Sequence, residues 1–414
     1  MVRDQLPIVK LGKLLPQPYK NGIYKSADFY GDGTQILRIT DFDNEGHLVT
    51  DELQCLHLEN NEVENYKLTS RDIVINRVNS LTHIGKSILW LNNTDCTTVY
   101  ESNMMRIQPD ESAILPEYLI RILQSEPARE HFRKVAKRAV AQCSINQQDV
   151  KSLSFPLHPL PEQKKIAQIL STWDRAISST EQLLANSQQQ KKALMQQLLT
   201  GQKRLLDNNG VRFSGDWKQV KLSKIFERVT TKNNEKSSNV VTISGQQGLI
   251  RQEDFFKKSV ASDILDGYFL LMKGQFAYNK SYSNGYPMGA IKRLNRYADG
   301  VVTTLYICFE ISESTKANGD FWEHYFESGL LNKGLSQIAH EGGRAHGLLN
   351  VKPTDFFSLK VPLPSLDEQQ KIAAVLSIAD QEITALQQKL AALKKEKKAL
   401  MQQLLTGKRR VLVS

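Results

Sequence analysis

Two segments of this chain, 206 residues apart, are copies of one another. Glu162–Gly201 aligns without a gap on Glu368–Gly407, and 23 of the 40 positions are identical. The eleven residues Lys191–Gly201 recur unchanged as Lys397–Gly407. A period of this length far exceeds the roughly 20–50 residues of a solenoid repeat. It matches a whole domain together with a connecting helix. The chain is therefore a tandem duplication, and its function is expected to be exercised at two places.

The copied segments carry a heptad pattern. In the second, Ile372, Ala379, Leu386, Leu393 and Leu400 recur every seven residues, with Leu376, Ile383, Leu390 and Leu404 four residues behind them. The first repeats it with Ile166, Trp173 and Leu194, joined by Leu170, Ile177, Leu184 and Leu198. A 3–4 apolar spacing kept over several heptads predicts coiled-coil helices. They are expected over Glu162 to about Leu199 and Asp367 to about Leu405, each stopped by a glycine, Gly201 and Gly407. Each would span about 55 Å at 1.5 Å per residue. The first helix leads away from one globular domain and the second must lead back. They are therefore expected to pack antiparallel, in a pseudo-twofold arrangement with the domains at opposite ends. Lys191 and Lys397 interrupt the stripe at equivalent places and read as snorkelling lysines, with register-fixing or DNA contact as alternatives.

The remainder divides accordingly. Residues 1–155 form a first mixed α/β domain and 156–205 the first long helix, while 206–361 form a second domain and 362–414 the second helix. The fold class is α+β. In the first domain, β-rich runs at Gln35–Thr40, Asp72–Asn76, Ser87–Leu91 and Met104–Gln108 precede a helix expected from Pro116 to Ala136. In the second, strands are expected at Val240–Ser244, Tyr268–Lys280 and Val301–Ile311, and a helix at Phe321–His340. Val9–Lys13 resembles Val220–Lys224, and Ile75–Arg77 resembles Tyr278–Lys280. The domains have diverged while the helices have not, which suggests two different readings around one shared geometry.

A net charge of +10 points to a polyanionic partner, of which nucleic acid is the commonest. No apolar run long enough to span a membrane exists. The start of the chain lacks a signal-peptide core, and the four scattered cysteines suggest neither zinc nor disulfides, so a cytoplasmic setting is expected. Catalytic motifs are missing as well. Gly85-Lys86-Ser87 lacks the glycine that a phosphate loop needs five residues earlier, where Ser80 stands. No amino-methyltransferase motif and no metal-binding histidine pair occurs, and Asp380 and Glu382 read as helix-surface acids. The chain is expected to be non-catalytic and to hold no metal.

Leu160-Pro-Glu-Gln-Lys-Lys-Ile-Ala167 and Leu366-Asp-Glu-Gln-Gln-Lys-Ile-Ala373 are each followed by Leu-Ser-x-x-Asp and closed by Lys-Lys-Ala-Leu-Met-Gln-Gln-Leu-Leu-Thr-Gly. Two copies of this signature around a second globular domain resemble the specificity subunits of type I restriction–modification enzymes. Phe276–Arg293 is likewise similar to a target-recognition domain of that family.

The resemblance implies that each globular domain reads one half of a split target in double-stranded DNA. It implies that the helices set the spacing and dock two methyltransferase subunits, and that restriction–translocase subunits complete the complex. S-adenosylmethionine, ATP and magnesium would belong to those partners. The docking residues would be Glu162, Gln163, Lys165 and Ile166, with Glu368, Gln369, Lys371 and Ile372. A coiled-coil adaptor for protein partners is the alternative.

Base-edge reading requires polar side chains on loops that enter a groove. The candidates are Asn76, Arg77, Asn79, Ser80, Thr82 and His83 in the first domain, and Asn279, Lys280, Tyr282, Ser283 and Asn284 in the second. A second loop pair contributes Arg138, and Arg344 with His346. Arg133, Lys134, Lys137 and Arg138 read as one basic helical face.

Overall fold

A computed structural model describes residues 6–16, 19–50, 52–91, 96–140, 142–256, 265–283, 285–341 and 349–412. Two compact units divide the chain midway along both long helices. The first comprises Met1–Glu181 with Lys389–Ser414, and the second Gln182–Gln388.

In the first unit a four-stranded antiparallel sheet runs in the order Lys20–Asn21, Met104–Ile107, Ile73–Asn76, Ser87–Leu89. Side chains alternate across a strand. Ile73 and Ile75 accordingly enter a core with Tyr118, Phe132, Ile166 and Leu404, while Val74 enters another with Phe42, Trp90 and Tyr100. A second sheet joins Tyr30–Gly31, Gln54–Leu56, Thr34–Leu37 and Thr98–Tyr100, the last pair parallel. The helix expected from Pro116 to Ala136 is two helices, Pro116–Gln124 and Glu126–Val135. Pro127 lacks the N–H that would continue the first. Ser125 instead caps the second, its side chain accepting from the Ala128 N–H.

The second unit is built on a sheet ordered Phe226–Val229, Ile307–Ile311, Phe276–Asn279, Ala290–Arg293. Aromatic rings fill the space beneath it. Phe276 stacks on Phe309 with centroids 5.4 Å apart, and Phe226 meets Phe309 and Trp322 edge-on at 5.2 and 5.4 Å. Three long runs in the sequence are each divided. Tyr268–Lys280 becomes strands Phe269–Met272 and Phe276–Asn279, and Val301–Ile311 becomes Asp299–Val302 and Ile307–Ile311. Phe321–His340 becomes helices Gly319–Glu327 and Asn332–Ile338. Gly274 (φ 94°) and Gly329 (φ 76°) take the left-handed backbone at two of these breaks.

The faint sequence likeness between the domains has a structural counterpart. Ile8–Lys10 pairs with Ser154–Pro156, and Lys218–Lys221 pairs with Lys360–Leu363. In each case a leucine N–H after the strand, Leu11 or Leu222, donates to the carbonyl of Leu153 or Leu359 at 2.8 Å.

Both long helices are continuous, Leu160–Leu199 and Leu366–Leu405, 40 residues each. Within each unit the start of one packs antiparallel on the end of the other. Ile166 and Leu170 share a core with Leu404 and Leu405 in the first unit, as Ile372 and Leu376 do with Leu198 and Leu199 in the second. Toward their middles the seam thins, and Leu386, Leu390 and Leu393 are only half-buried. Lys191 and Lys397 do not snorkel away to solvent. Lys191 Nζ lies 2.5 Å from Asp380, and Lys397 pairs with Asp174, so each lysine meets an aspartate on the opposite helix and favours the register read from the heptads. Glu382 accepts a hydrogen bond from Ser187 at 3.1 Å.

Candidate nucleic-acid interface

In the first unit the strand Ile73–Asn76 ends and the chain continues as Val78–Asn79. That short strand pairs with Cys143–Ser144, which pairs in turn with Lys137–Arg138. The register aligns Asn79, Cys143 and Arg138 in one row. Two loops distant in sequence thus become one surface. Arg138 is exposed, Asn79 and Arg77 are half-buried, and the Arg77 guanidinium donates to the Ser102 carbonyl at 3.2 Å. Beside them the exposed Ser80, Thr82 and His83 form a polar knot, with Ser80 Oγ 3.0 Å from Thr82 Oγ1 and 2.9 Å from His83 Nδ1. Arg133 and Lys134 lie on the helix and pair with Glu126 and Glu130, while Lys137 and Arg138 lie on the ribbon. The single basic helical face is therefore two separate features.

Asn76 is not part of this surface. Its side chain is fully buried in a strand flanked on both sides, and its amide atoms meet no protein partner. Lys86, in the sequence that mimics a phosphate loop, is also occupied. Its Nζ donates to the carbonyls of Ile39 and Phe42 at 2.5 and 2.6 Å, and burial lowers its pKa.

The second unit also brings a strand end and a short ribbon together, here through one backbone hydrogen bond. The strand Phe276–Asn279 ends at Lys280, whose carbonyl accepts from the Leu349 N–H at 3.0 Å, and Leu349–Asn350 pairs with His340–Glu341. Asn279 is half-buried and its side-chain oxygen accepts from Ser281 N–H at 3.0 Å. Lys280 is half-buried, with its pKa lowered by desolvation. Tyr282 and Ser283 are exposed. Asn284, Arg344 and His346 lie outside the described residues.

The repeated Glu-Gln pairs act inside the units. Gln163 is fully buried, accepting from Leu115 N–H (2.9 Å) and donating to the carbonyls of Ala113 (3.0 Å) and His158 (2.8 Å). Gln369 does the same with Asn318, Lys316 and Pro364. Each glutamate is met by an arginine at the end of the other long helix. Gly201 (φ 74°) and Gly407 (φ 73°) stop the helices and turn the chain back. Arg204 then clasps Glu368 through Nε (2.6 Å) and Nη2 (2.8 Å), with Trp217 Nε1 adding a third donor at 2.9 Å. Arg410 clasps Glu162 in the equivalent way, its Nε at 2.8 Å. With Ile166 and Ile372 in the cores, six of the eight residues assigned to partner docking are consumed internally. Lys165 is exposed and Lys371 half-buried. The arginines share the 206-residue offset of the glutamates they bind, which is the signal in the sequence that points to them.

Arg410 holds the Glu162 carboxyl below the usual carboxylate range. A carboxylate depressed on folding contributes stability that is present above its unfolded value, about 4.3, and lost as pH falls through the folded value. Urea denaturation should therefore show the first unit weakening from about pH 5 downward. Glu162→Gln should have a shallower slope in that window, and parallel slopes would exclude this contribution.

Among the described residues no group of metal-ligating side chains gathers, and no helix is long and apolar enough to cross a membrane. The profile of the type I restriction modification DNA specificity domain matches the chain twice, over residues 8–186 and 214–395. A putative type I restriction enzyme MjaX specificity subunit from Methanocaldococcus jannaschii is 27% identical over 371 residues, covering 86% of this chain and 82% of that protein. The StySPI specificity subunit of Salmonella potsdam is 27% identical over 180 residues, 43% of this chain and 38% of that one. Among solved structures, the type I restriction-modification S subunit from M. genitalium superposes with a TM-score of 0.58 at 14% identity, over 98% of both chains. The HsdS subunit from Thermoanaerobacter tengcongensis gives 0.50 at 18% identity, again over 98% of both. These structures share the fold. Matched in both halves, the chain belongs to the type I restriction modification DNA specificity family.

Proposed function

We propose that each unit reads one half of a bipartite target in double-stranded DNA, and that the paired helices set the gap and dock two methyltransferase subunits. This chain is the non-catalytic reader of a cytoplasmic complex. S-adenosylmethionine, ATP and magnesium serve the methyltransferase and restriction–translocase partners. The observation that carries the reading is the repeated convergence of a strand end with a short ribbon, at Asn79–Arg138 in one unit and Lys280–Leu349 in the other. Both supply polar and cationic groups next to hydrogen-bonded backbone. Such a surface can place side chains against base edges and phosphates.

The test is co-expression with the methyltransferase partners and genome-wide mapping of methylated adenines. A split, asymmetric motif is expected, and a continuous motif would overturn the reading. Asn79→Ala with Arg138→Ala should impair one half-site, and Lys280→Ala with Tyr282→Ala the other. Each lost base contact should cost about 1–3 kcal/mol. A lost phosphate contact should weaken all sequences alike and lower the salt slope by about one. Equal damage to both half-sites by either double variant would refute the division between units.

A further inference from the structure

The ribbon of the first unit carries one feature that the polar reading leaves unused. Beyond Arg138 the chain turns, closed by the Ala139 N–H donating to the Gln142 carbonyl at 2.8 Å, and Val140 stands at the turn with a relative exposure of 109%. An isolated exposed apolar residue is common on protein surfaces. Val140 is set apart by its surroundings. Lys137 and Arg138 precede it on the ribbon, both exposed and without an ion pair among the described residues. Through Cys143 the same ribbon is hydrogen-bonded to Asn79, beside the knot of Ser80, Thr82 and His83. The ribbon is therefore cationic along one strand, apolar at its tip and polar along its flank.

A two-stranded ribbon fits the major groove of B-DNA, where thymine presents its C5-methyl. Resting on the proposed division of the target between the units, we propose that Val140 contacts the C5-methyl of one thymine in the half-site read by the first unit. The cation of Lys137 would lie against a flanking phosphate. This makes Val140 a specificity-determining residue that selects an A·T pair without a hydrogen bond. It also accounts for an apolar side chain held where folding gains nothing from it.

The experiment uses the full chain bound to its methyltransferase partners, and duplexes in which each thymine of the target is replaced in turn by deoxyuridine, which removes only the methyl group. For the unaltered protein, one position in the first half-site should lose about fourfold in affinity, the factor carried by burial of a single methyl. Val140→Ser should bind the thymine duplex about fourfold more weakly and no longer distinguish thymine from deoxyuridine at that position. A first half-site without an A·T pair, or a thymine preference that persists in Val140→Ser, would overturn the proposal. So would weakened binding with altered DNA bending but no deoxyuridine effect, which marks a wedge between base pairs. Failure of the underlying division is distinguishable, because then no split target is protected by the unaltered complex.

Discussion

Arg204→Ala should destabilise the second unit by about 3–5 kcal/mol, seen as a lower urea midpoint. Glu368 is 1% exposed and receives three donors, two of them from this guanidinium. Removing the arginine leaves an ionised carboxylate beneath the end of the first long helix with only the Trp217 N–H. The loss of one partner from a buried pair costs far more than the pair contributes, because the remaining charge stays desolvated. The control is Arg204→Met combined with Glu368→Leu, which should recover most of the loss while leaving the Trp217 N–H without its acceptor. If Arg204→Ala unfolds at the same urea concentration as the parent, the pair is a surface-like contact and the clasp contributes little.

Truncation after Gln388 should have the larger effect, unfolding the first unit while sparing the second. The deleted segment supplies Leu404 and Leu405 to the first core, Lys397 to Asp174, Lys394 to Glu181 and Arg410 to Glu162. Leu404 is 1% exposed, and Leu404→Ala alone should cost about 2–5 kcal/mol. Leu393, equally prominent in the heptad pattern, is half-buried, and its alanine variant should cost about 1 kcal/mol or less. Limited proteolysis of the truncated chain checks this. Cleavage confined to residues 1–181 is expected, and protection equal to the parent would show that the first unit is complete without its distant segment.

How far the sequence disclosed this arrangement depends on the kind of signal. The long helices were legible because forty residues of heptad pattern ending in Gly201 and Gly407 outweigh local noise. The strands were legible in position but not in extent, since apolar runs such as Tyr268–Lys280 do not show where Gly274 turns the chain. The ribbon at Arg138 looks like a loop in the sequence, because two-residue strands have no periodicity and this one is anchored through Cys143 to Asn79, remote in sequence. Asn76 has the chemistry of a base reader, yet the sheet on both sides of it buries it. The Glu-Gln pairs suggest a docking face in the sequence, whereas a repeated motif equally serves repeated internal pairing. Arg204 and Arg410 carried that information at the same offset as Glu162 and Glu368.

The clasp of Arg410 on Glu162 also governs the order in which a newly made molecule matures. Domains usually fold as they emerge from the ribosome, the N-terminal one first. Here the second unit is contiguous, Gln182–Gln388, and all its parts are present before Lys389–Ser414 is made. The first unit must wait for Lys389–Ser414 with the seam around Ile166 and Leu170 uncovered. Translation thus completes the first unit after the second, and a chain halted before Lys389 holds only the second unit in finished form.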